Sequence, residues 1–256
     1  MPLNYEVTDH IALITIDNPP VNAFTADFVE QLAETVDGFA TKPDVRVAVI
    51  TGAGTRAFTA GADIKAWSAP GVAPVRARNP RDVRNYVEAL LDSAVPMIAA
   101  VNGYCFGHGI AISSSCDIVL ASTNATFGLP EINVGAGNGY RMMRELFPRN
   151  HSRHAFFTGE HVSAEEAYRV GALYSLEKPE NLLEAAMKIA HSIAAKSPRA
   201  VRMFKETVRW TESMEVQKGY RFEGQAFQNL THDPAGAAEL AEARSAFVAK
   251  RPPVFD

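Results

Sequence analysis

This 256-residue sequence has little cysteine, no long apolar run and no excess of basic charge. Its two cysteines, Cys105 and Cys116, lie in apolar segments, which predicts buried thiols in a reducing compartment and excludes a disulfide scaffold. No run of about 18 apolar residues occurs, and residues 1–6 lack the features of a secretory signal. We therefore expect a cytoplasmic protein without a membrane partner. The net charge of −4, with scattered basic residues, excludes a nucleic-acid footprint.

The sequence also lacks the motifs of a serine hydrolase, a dinucleotide-binding turn and a metal site. No G-x-S-x-G elbow surrounds the serines at 113–115, which argues against a serine hydrolase. Gly52 and Gly54 imitate the start of a dinucleotide-binding turn, but no acidic residue follows about 20 positions later. His151 and His154 have no acidic or cysteine ligand placed with them, so we predict no metal site.

What is present is an alternation of apolar runs and helical patterns, which predicts an α/β fold. The hydrophobic content of 47% is enough for a substantial core. Thr25 is a predicted N-cap, and residues 163–166, SAEE, form a predicted capping box. Strands are predicted at 11–16, 45–51, 97–101, 118–121 and 172–176; helices are predicted at 25–39, 82–94, 179–195, 197–210 and 235–250.

The segment 101–109, VNGYCFGHG, is the most informative in the chain. Its apolar strand ends in a glycine-spaced turn that opens a helix, so backbone N–H groups are left without partners. Residues 58–63, FTAGAD, form a second turn of this kind after another apolar run. Glu131 follows a proline in apolar surroundings, where burial would raise its pKa and make it an effective base. Two amide donors and one carboxylate are suited to enolate chemistry.

These motifs resemble the crotonase, or enoyl-CoA hydratase/isomerase, family in order and spacing over nearly the whole chain. The matching segments are 18–23 (NPPVNA), 58–65 (FTAGADIK), 101–104 (VNGY), 116–117 (CD), 127–131 (FGLPE), 157–159 (FTG) and 247–251 (FVAKR). The resemblance implies a spiral of ββα units followed by a C-terminal helical trimerisation region. It divides the chain into a catalytic acyl-CoA-binding core, 1–195, and an oligomerisation segment, 196–256, in a homotrimer or homohexamer.

The resemblance also implies the catalytic roles. The amides of Ala62 and His108 would polarise the thioester carbonyl of an acyl-CoA, and Glu131 would move the proton beside it. The His108 position is usually glycine in the family, and its imidazole lines the acyl pocket, relays a proton or fills space. Coenzyme A would enter as part of the substrate, with no separate cofactor.

Hydratases of the family carry a second glutamate at the position of Ala111, and its absence leaves one carboxylate. A single base at Glu131 resembles the enoyl-CoA isomerases, which is the favoured activity. The alternatives are a hydratase, dehydratase or hydratase-lyase, and a non-catalytic acyl-CoA-binding or assembly protein. The remaining substrate-binding positions implied by the resemblance are Ala60, Lys65, Ala111, Asn138, Gly139, Tyr140, Phe247 and Lys250.

Overall fold

The computed structural model describes residues 3–62 and 86–255. The strands are β1 Asn4–Thr8, β2 Ile11–Ile16, β3 Val47–Gly52, β4 Ala57–Thr59, β5 Met97–Val101, β6 Tyr104–Phe106, β7 Ile118–Ser122, β8 Thr126–Gly128, β9 Val162–Ser163 and β10 Ser175–Glu177. The helices are α1 Ala26–Gly38, α2 Tyr86–Leu91, α3 His108–Ser115, α4 Tyr140–Leu146, α5 Arg149–Thr158, α6 Ala164–Arg169, α7 Leu182–Ala194, α8 Pro198–Thr211, α9 Val216–His232 and α10 Pro234–Val248. Short 3-10 helices span Phe39–Thr41 and Pro130–Val134.

The strands form two sheets. The larger one has six strands in the order β1-β2-β3-β5-β7-β10, parallel throughout except for the β1–β2 hairpin. The smaller has four strands in the order β4-β6-β8-β9, with β4, β6 and β8 parallel. From β3 to β8, successive strands along the chain alternate between the two sheets, and a helix follows β6 before the chain returns to β7. The predicted α/β spiral of ββα units is therefore confirmed.

The larger sheet is buried on both faces, as its near-continuous apolar strands require. Side chains alternate between two cores with the period of two that a strand imposes. Within β5, Met97 and Ala99 belong to the core between the sheets, whereas Ile98 and Ala100 belong to a second core. That second core is closed by α7, whose small residues recur every fourth position at Ala186, Ala190 and Ala194.

The two predicted N-caps are confirmed, but only the Ser163 half of the predicted capping box is formed. Thr25 accepts a hydrogen bond from the Phe28 amide and starts α1, and Ser163 accepts one from the Glu166 amide and starts α6. The Glu166 side chain binds Arg169 and His151. The predicted buried thiols are free, with Cys105 fully buried and Cys116 half-buried.

The region beyond residue 141 contains more strand than the sequence patterns predict. The predicted strand at 172–176 is wrong in its bounds, because the paired residues are Ser175–Glu177 alongside β7. The two-residue β9 was not predicted, since so short a segment shows no periodicity. The chain after residue 197 consists mainly of helices α8, α9 and α10, which form one layer. No helix among the described residues is long and apolar enough to cross a membrane.

Candidate active site

The site lies where three neighbouring parallel strands of the smaller sheet end. Ala62 follows β4, His108 follows β6 and Glu131 follows β8. Because parallel strands direct their carboxyl ends to one edge of a sheet, the three predicted catalytic residues reach the same edge. The strand order thus brings together residues far apart in the sequence.

The first turn, Ala60 to Ala62, is held by main-chain bonds. The Ala60 amide donates to the Val21 carbonyl at 3.0 Å, and the Gly61 carbonyl accepts from the Phe24 amide at 2.8 Å. Ala62 forms an isolated parallel bridge with Phe24. Among the described residues, no hydrogen-bond acceptor pairs with the Ala62 amide.

The second turn is the entry to α3. Gly107 has φ +53°, a backbone conformation that favours glycine, and its amide donates to the Gly128 carbonyl at 3.2 Å. Helix α3 begins at His108 without a side-chain cap. The first amides of a helix have no partner inside it, so the His108 N–H is directed out of the helix start.

The two turns touch each other. A Cβ placed on Gly61 would lie 3.1 Å from the Phe106 carbonyl oxygen and 3.6 Å from the Gly107 Cα. At Gly61 the nearest atoms of the second turn are therefore backbone atoms. The Ala62 and His108 amides therefore belong to turns that meet, which is the arrangement needed to stabilise an oxyanion.

The Glu131 carboxylate packs directly on the second turn. A Cβ on Gly107 would lie only 2.1 Å from Glu131 Oε1, so the carboxylate fills the space that a side chain would occupy. Glu131 Oε2 is buried and has no hydrogen-bond partner in the part of the chain that is described. Burial raises the pKa of Glu131 above its ordinary value, as the sequence predicts. A partly desolvated carboxylate is suited to accept a proton.

The His108 side chain is enclosed by aromatic rings. Its Nδ1 lies 2.7 Å from the Tyr86 hydroxyl, and the Phe24 ring stacks on it with a centroid separation of 5.0 Å. Burial lowers the pKa of His108 to about 4, so the imidazole is neutral at physiological pH. Burial also raises the pKa of the Tyr86 phenol, which remains protonated.

The proposed acyl-side residues lie near the same edge. Ala111 is buried on α3, with its amide bonded to the Gly107 carbonyl at 3.2 Å. Gly139, with φ +92°, starts α4 and approaches the Leu129 side chain just before Glu131. Asn138 is exposed, and the half-buried Tyr140 ring packs on Phe156.

The predicted coenzyme A positions differ in what the structure says of them. Ala60 is half-buried in the first turn. Lys65 lies outside the described residues. Phe247 and Lys250 lie at the end of α10, where the Phe247 side chain is 85% exposed and Lys250 has φ +52°.

Sequence reasoning missed Phe24 and Tyr86 as neighbours of the site. Phe24 directly follows the 18–23 motif, which is the one signal that marks it. Tyr86 carries no local signal, because its contact with His108 arises from the packing of α2 on α3. Within residues 3–62 and 86–255, no group of three histidines, cysteines or carboxylates is arranged to hold a metal ion.

Known proteins match the chain over almost its whole length. The sequence profile described as enoyl-CoA hydratase/isomerase matches residues 6–256. A carnitinyl-CoA dehydratase of Salmonella typhimurium is 35% identical over 247 residues, covering 94% of this chain and 93% of the relative. A Mycobacterium tuberculosis protein named (7aS)-7a-methyl-1,5-dioxo-2,3,5,6,7,7a-hexahydro-1H-indene-carboxyl-CoA hydrolase is 35% identical over 241 residues, covering 94% and 95%. The crystal structure of an enoyl-CoA hydratase from Bacillus anthracis is similar with a TM-score of 0.87 and 26% identity, covering 100% and 99%.

Replacing Gly107 by alanine should displace the Glu131 carboxylate, because the new Cβ overlaps Oε1. Turnover of acyl-CoA thioesters should fall about 10²-fold, since a misplaced catalytic group costs roughly that much. Gly54→Ala is the matched control, with φ +73° and nothing within 4 Å of its Cβ. Both variants should lose about 1–2 kcal/mol of stability from the positive φ, measured by denaturant unfolding. Equal turnover in the two variants would contradict the placement of Glu131.

Because its pKa is raised in the folded protein, ionised Glu131 should lower the stability of the fold by an amount that depends on pH. Folding favours the protonated carboxyl, so its stabilising effect is present below the unfolded pKa and is lost as pH rises through the folded pKa. At neutral pH, Glu131→Gln should therefore melt at a higher temperature than the unmodified protein. The difference between the two melting temperatures should become smaller as the pH is lowered. Calorimetry across the pH range checks this, with the exposed Glu180→Gln as control. A lower melting temperature for Glu131→Gln at neutral pH would contradict it.

Proposed function

The chain belongs to the enoyl-CoA hydratase/isomerase family, and from that premise we propose that it isomerises enoyl-CoA thioesters with Glu131 as the single base. The Ala62 and His108 amides bind the thioester oxygen. Glu131 removes a proton from the carbon beside the carbonyl. The negative charge that develops on oxygen is stabilised by the two amides, each contributing on the order of 3 kcal/mol.

The observation that carries the proposal is a lone, buried carboxylate on the second turn. Glu131 Oε2 has no partner among the described side chains, and the position 20 residues earlier holds Ala111 in place of a second carboxylate. Addition of water needs one group to activate the water and another to handle the α-proton. Isomerisation needs one group that takes a proton and returns it elsewhere.

The proposed reaction balances with that one group. Starting from a 3-enoyl-CoA, Glu131 takes a proton from C2, and the electrons spread over the dienolate from oxygen to C4. Glu131, now a carboxylic acid, returns the proton to C4, and the double bond moves into conjugation with the carbonyl. The ordinary acid–base cycle is complete when Glu131 is again a carboxylate.

A dehydratase is the second candidate, supported by the 35% identity to a carnitinyl-CoA dehydratase. Elimination of a β-hydroxyl begins with the same α-proton and the same enolate. As the reverse of water addition, it also needs a second group, to protonate the departing hydroxyl, and Ala111 supplies none. A hydrolase reaction, as named for the other relative, differs from elimination because water must attack the substrate.

Coenzyme A recognition is assigned by resemblance to the first turn and the C-terminal helix. Ala60 and Lys65 would border the nucleotide and pantetheine, while Asn138, Gly139 and Tyr140 would border the acyl group. Phe247 and Lys250 would reach the coenzyme A of an adjacent subunit in a trimer or hexamer. The exposed Phe247 ring and the lysine ammonium are chemically suited to an adenine and a phosphate.

Substrate pairs separate these reactions directly. The unmodified enzyme should convert 3-enoyl-CoA to its conjugated isomer faster than it hydrates 2-enoyl-CoA, both followed by the conjugated thioester absorbance. Glu131→Gln should lower isomerisation about 10²-fold or more, because the base is lost, while coenzyme A affinity stays nearly unchanged. Ala111→Glu should increase hydration by supplying the second carboxylate.

The double variant Ala111→Glu with Glu131→Gln is the matched control. It retains the added carboxylate but lacks the resident base, so its hydration should return to the background rate. Fast hydration of 2-enoyl-CoA by the unmodified enzyme would overturn the isomerase assignment in favour of the hydratase and dehydratase alternatives.

A further inference from the structure

One aromatic residue, Phe24, contacts both turns of the site. Its backbone amide donates to the Gly61 carbonyl at 2.8 Å, and it forms the bridge with Ala62 in the first turn. Its ring stacks on the imidazole of His108 in the second turn, with an interplanar angle of 19°. Phe24 is 2% exposed, so both contacts lie inside the protein.

The other side of the imidazole is fixed by Tyr86. The Tyr86 hydroxyl lies 2.7 Å from His108 Nδ1, and its ring also packs on Phe24 with a centroid separation of 6.0 Å. In the described residues, His108 Nδ1 is the one partner of this buried hydroxyl. One hydrogen bond between the phenol and Nδ1 thus ties the imidazole to Tyr86.

We propose that Phe24, His108 and Tyr86 act as a clamp that sets the spacing of the Ala62 and His108 amides. Phe24 and Tyr86 are then positioning residues, which touch no reacting atom. The inference rests on the proposed function, because it assigns the clamp to the amides that bind the thioester oxygen.

The physical reason is that the two donors belong to separate turns. The turns already meet at Gly61 and Gly107 and where Thr59 packs beside Gly109 on α3, and the Phe24–His108 stack adds a contact through a side chain at the helix start. The His108 side chain shares a Cα with the amide that must point at the oxyanion. Fixing the imidazole on two sides, by a stacked ring and a hydrogen bond, also fixes that amide.

This arrangement gives a reason for the histidine at position 108, where the family usually has glycine. A glycine at position 108 provides no side chain through which the helix start can be tied to the first turn. The buried, uncharged imidazole provides a flat ring for Phe24 and a hydrogen-bond partner for Tyr86. The sequence leaves three roles open for the His108 side chain: lining the acyl pocket, relaying a proton or filling space. The proposed role is a specific form of the third, in which packing of the side chain orders the two amide donors.

The test measures carbonyl polarisation and turnover in matched variants. Phe24→Leu removes the stacked ring. Phe28→Leu is the control, because the Phe28 ring lies in the same buried cluster with its centroid 4.6 Å from that of Phe24. The infrared band of a bound acyl-CoA, labelled with carbon-13 at the thioester carbonyl, reports how strongly the amides polarise it. The rate of 3-enoyl-CoA isomerisation reports the chemical step.

We expect both variants to lose similar stability, but only Phe24→Leu to move the carbonyl band back toward its position in water. Its kcat should fall about 10- to 100-fold with little change in coenzyme A affinity, as for a misaligned oxyanion donor. Tyr86→Phe, which keeps the ring, should lower kcat less and in the same direction.

Two results overturn the clamp, and only the second of them also overturns the proposed function. If the unmodified enzyme shifts the band and turns over substrate, but Phe24→Leu behaves like Phe28→Leu, the clamp has no positioning role and the proposed function stands. If the unmodified enzyme neither shifts the carbonyl band nor acts on acyl-CoA, the proposed function fails and the clamp fails with it.

Discussion

The site depends on the close approach of two glycine turns, because every candidate catalytic group is placed by it. Gly61 and Gly107 meet through their backbones, and Glu131 packs its carboxylate into the space beside Gly107 that a Cβ would fill. A side chain at Gly107 would collide with the carboxylate, and one at Gly61 would press on the main chain of the second turn. The absence of side chains at two positions is what allows amides and base to share one small volume.

The fold delivers these groups through a small parallel sheet. Strands β4, β6 and β8 lie side by side, and each leads into one component of the site: Ala62, His108 or Glu131. The larger sheet anchors the units from which these strands emerge, with a core on each of its faces. Backbone donors are well suited to this construction, since strand ends and helix starts leave N–H groups unpaired without any particular side chain.

The sequence was sufficient for the fold class, the two turns and the direction of the Glu131 pKa shift, because each has a local signal. Apolar runs followed by glycine turns predict strand exits with free amides, and a glutamate after proline in apolar surroundings predicts a desolvated base. The Phe24–His108–Tyr86 cluster was not predictable. Its contacts join distant segments, and nothing in the spacing of those residues indicates that their rings meet. Short strands such as β9 were missed for the related reason that pairing, not periodicity, defines them.

The central claim is that two backbone amides and Glu131 generate a thioester enolate, and proton exchange tests it without assuming a reaction. Butyryl-CoA has α-protons but no double bond or β-hydroxyl, so in heavy water the enzyme can only remove a proton from it and return a deuteron. Mass spectrometry should find deuterium at the α-carbon with the unmodified enzyme and almost none with Glu131→Gln. No incorporation above the buffer rate, or equal incorporation by the Glu131→Gln variant, would contradict the account.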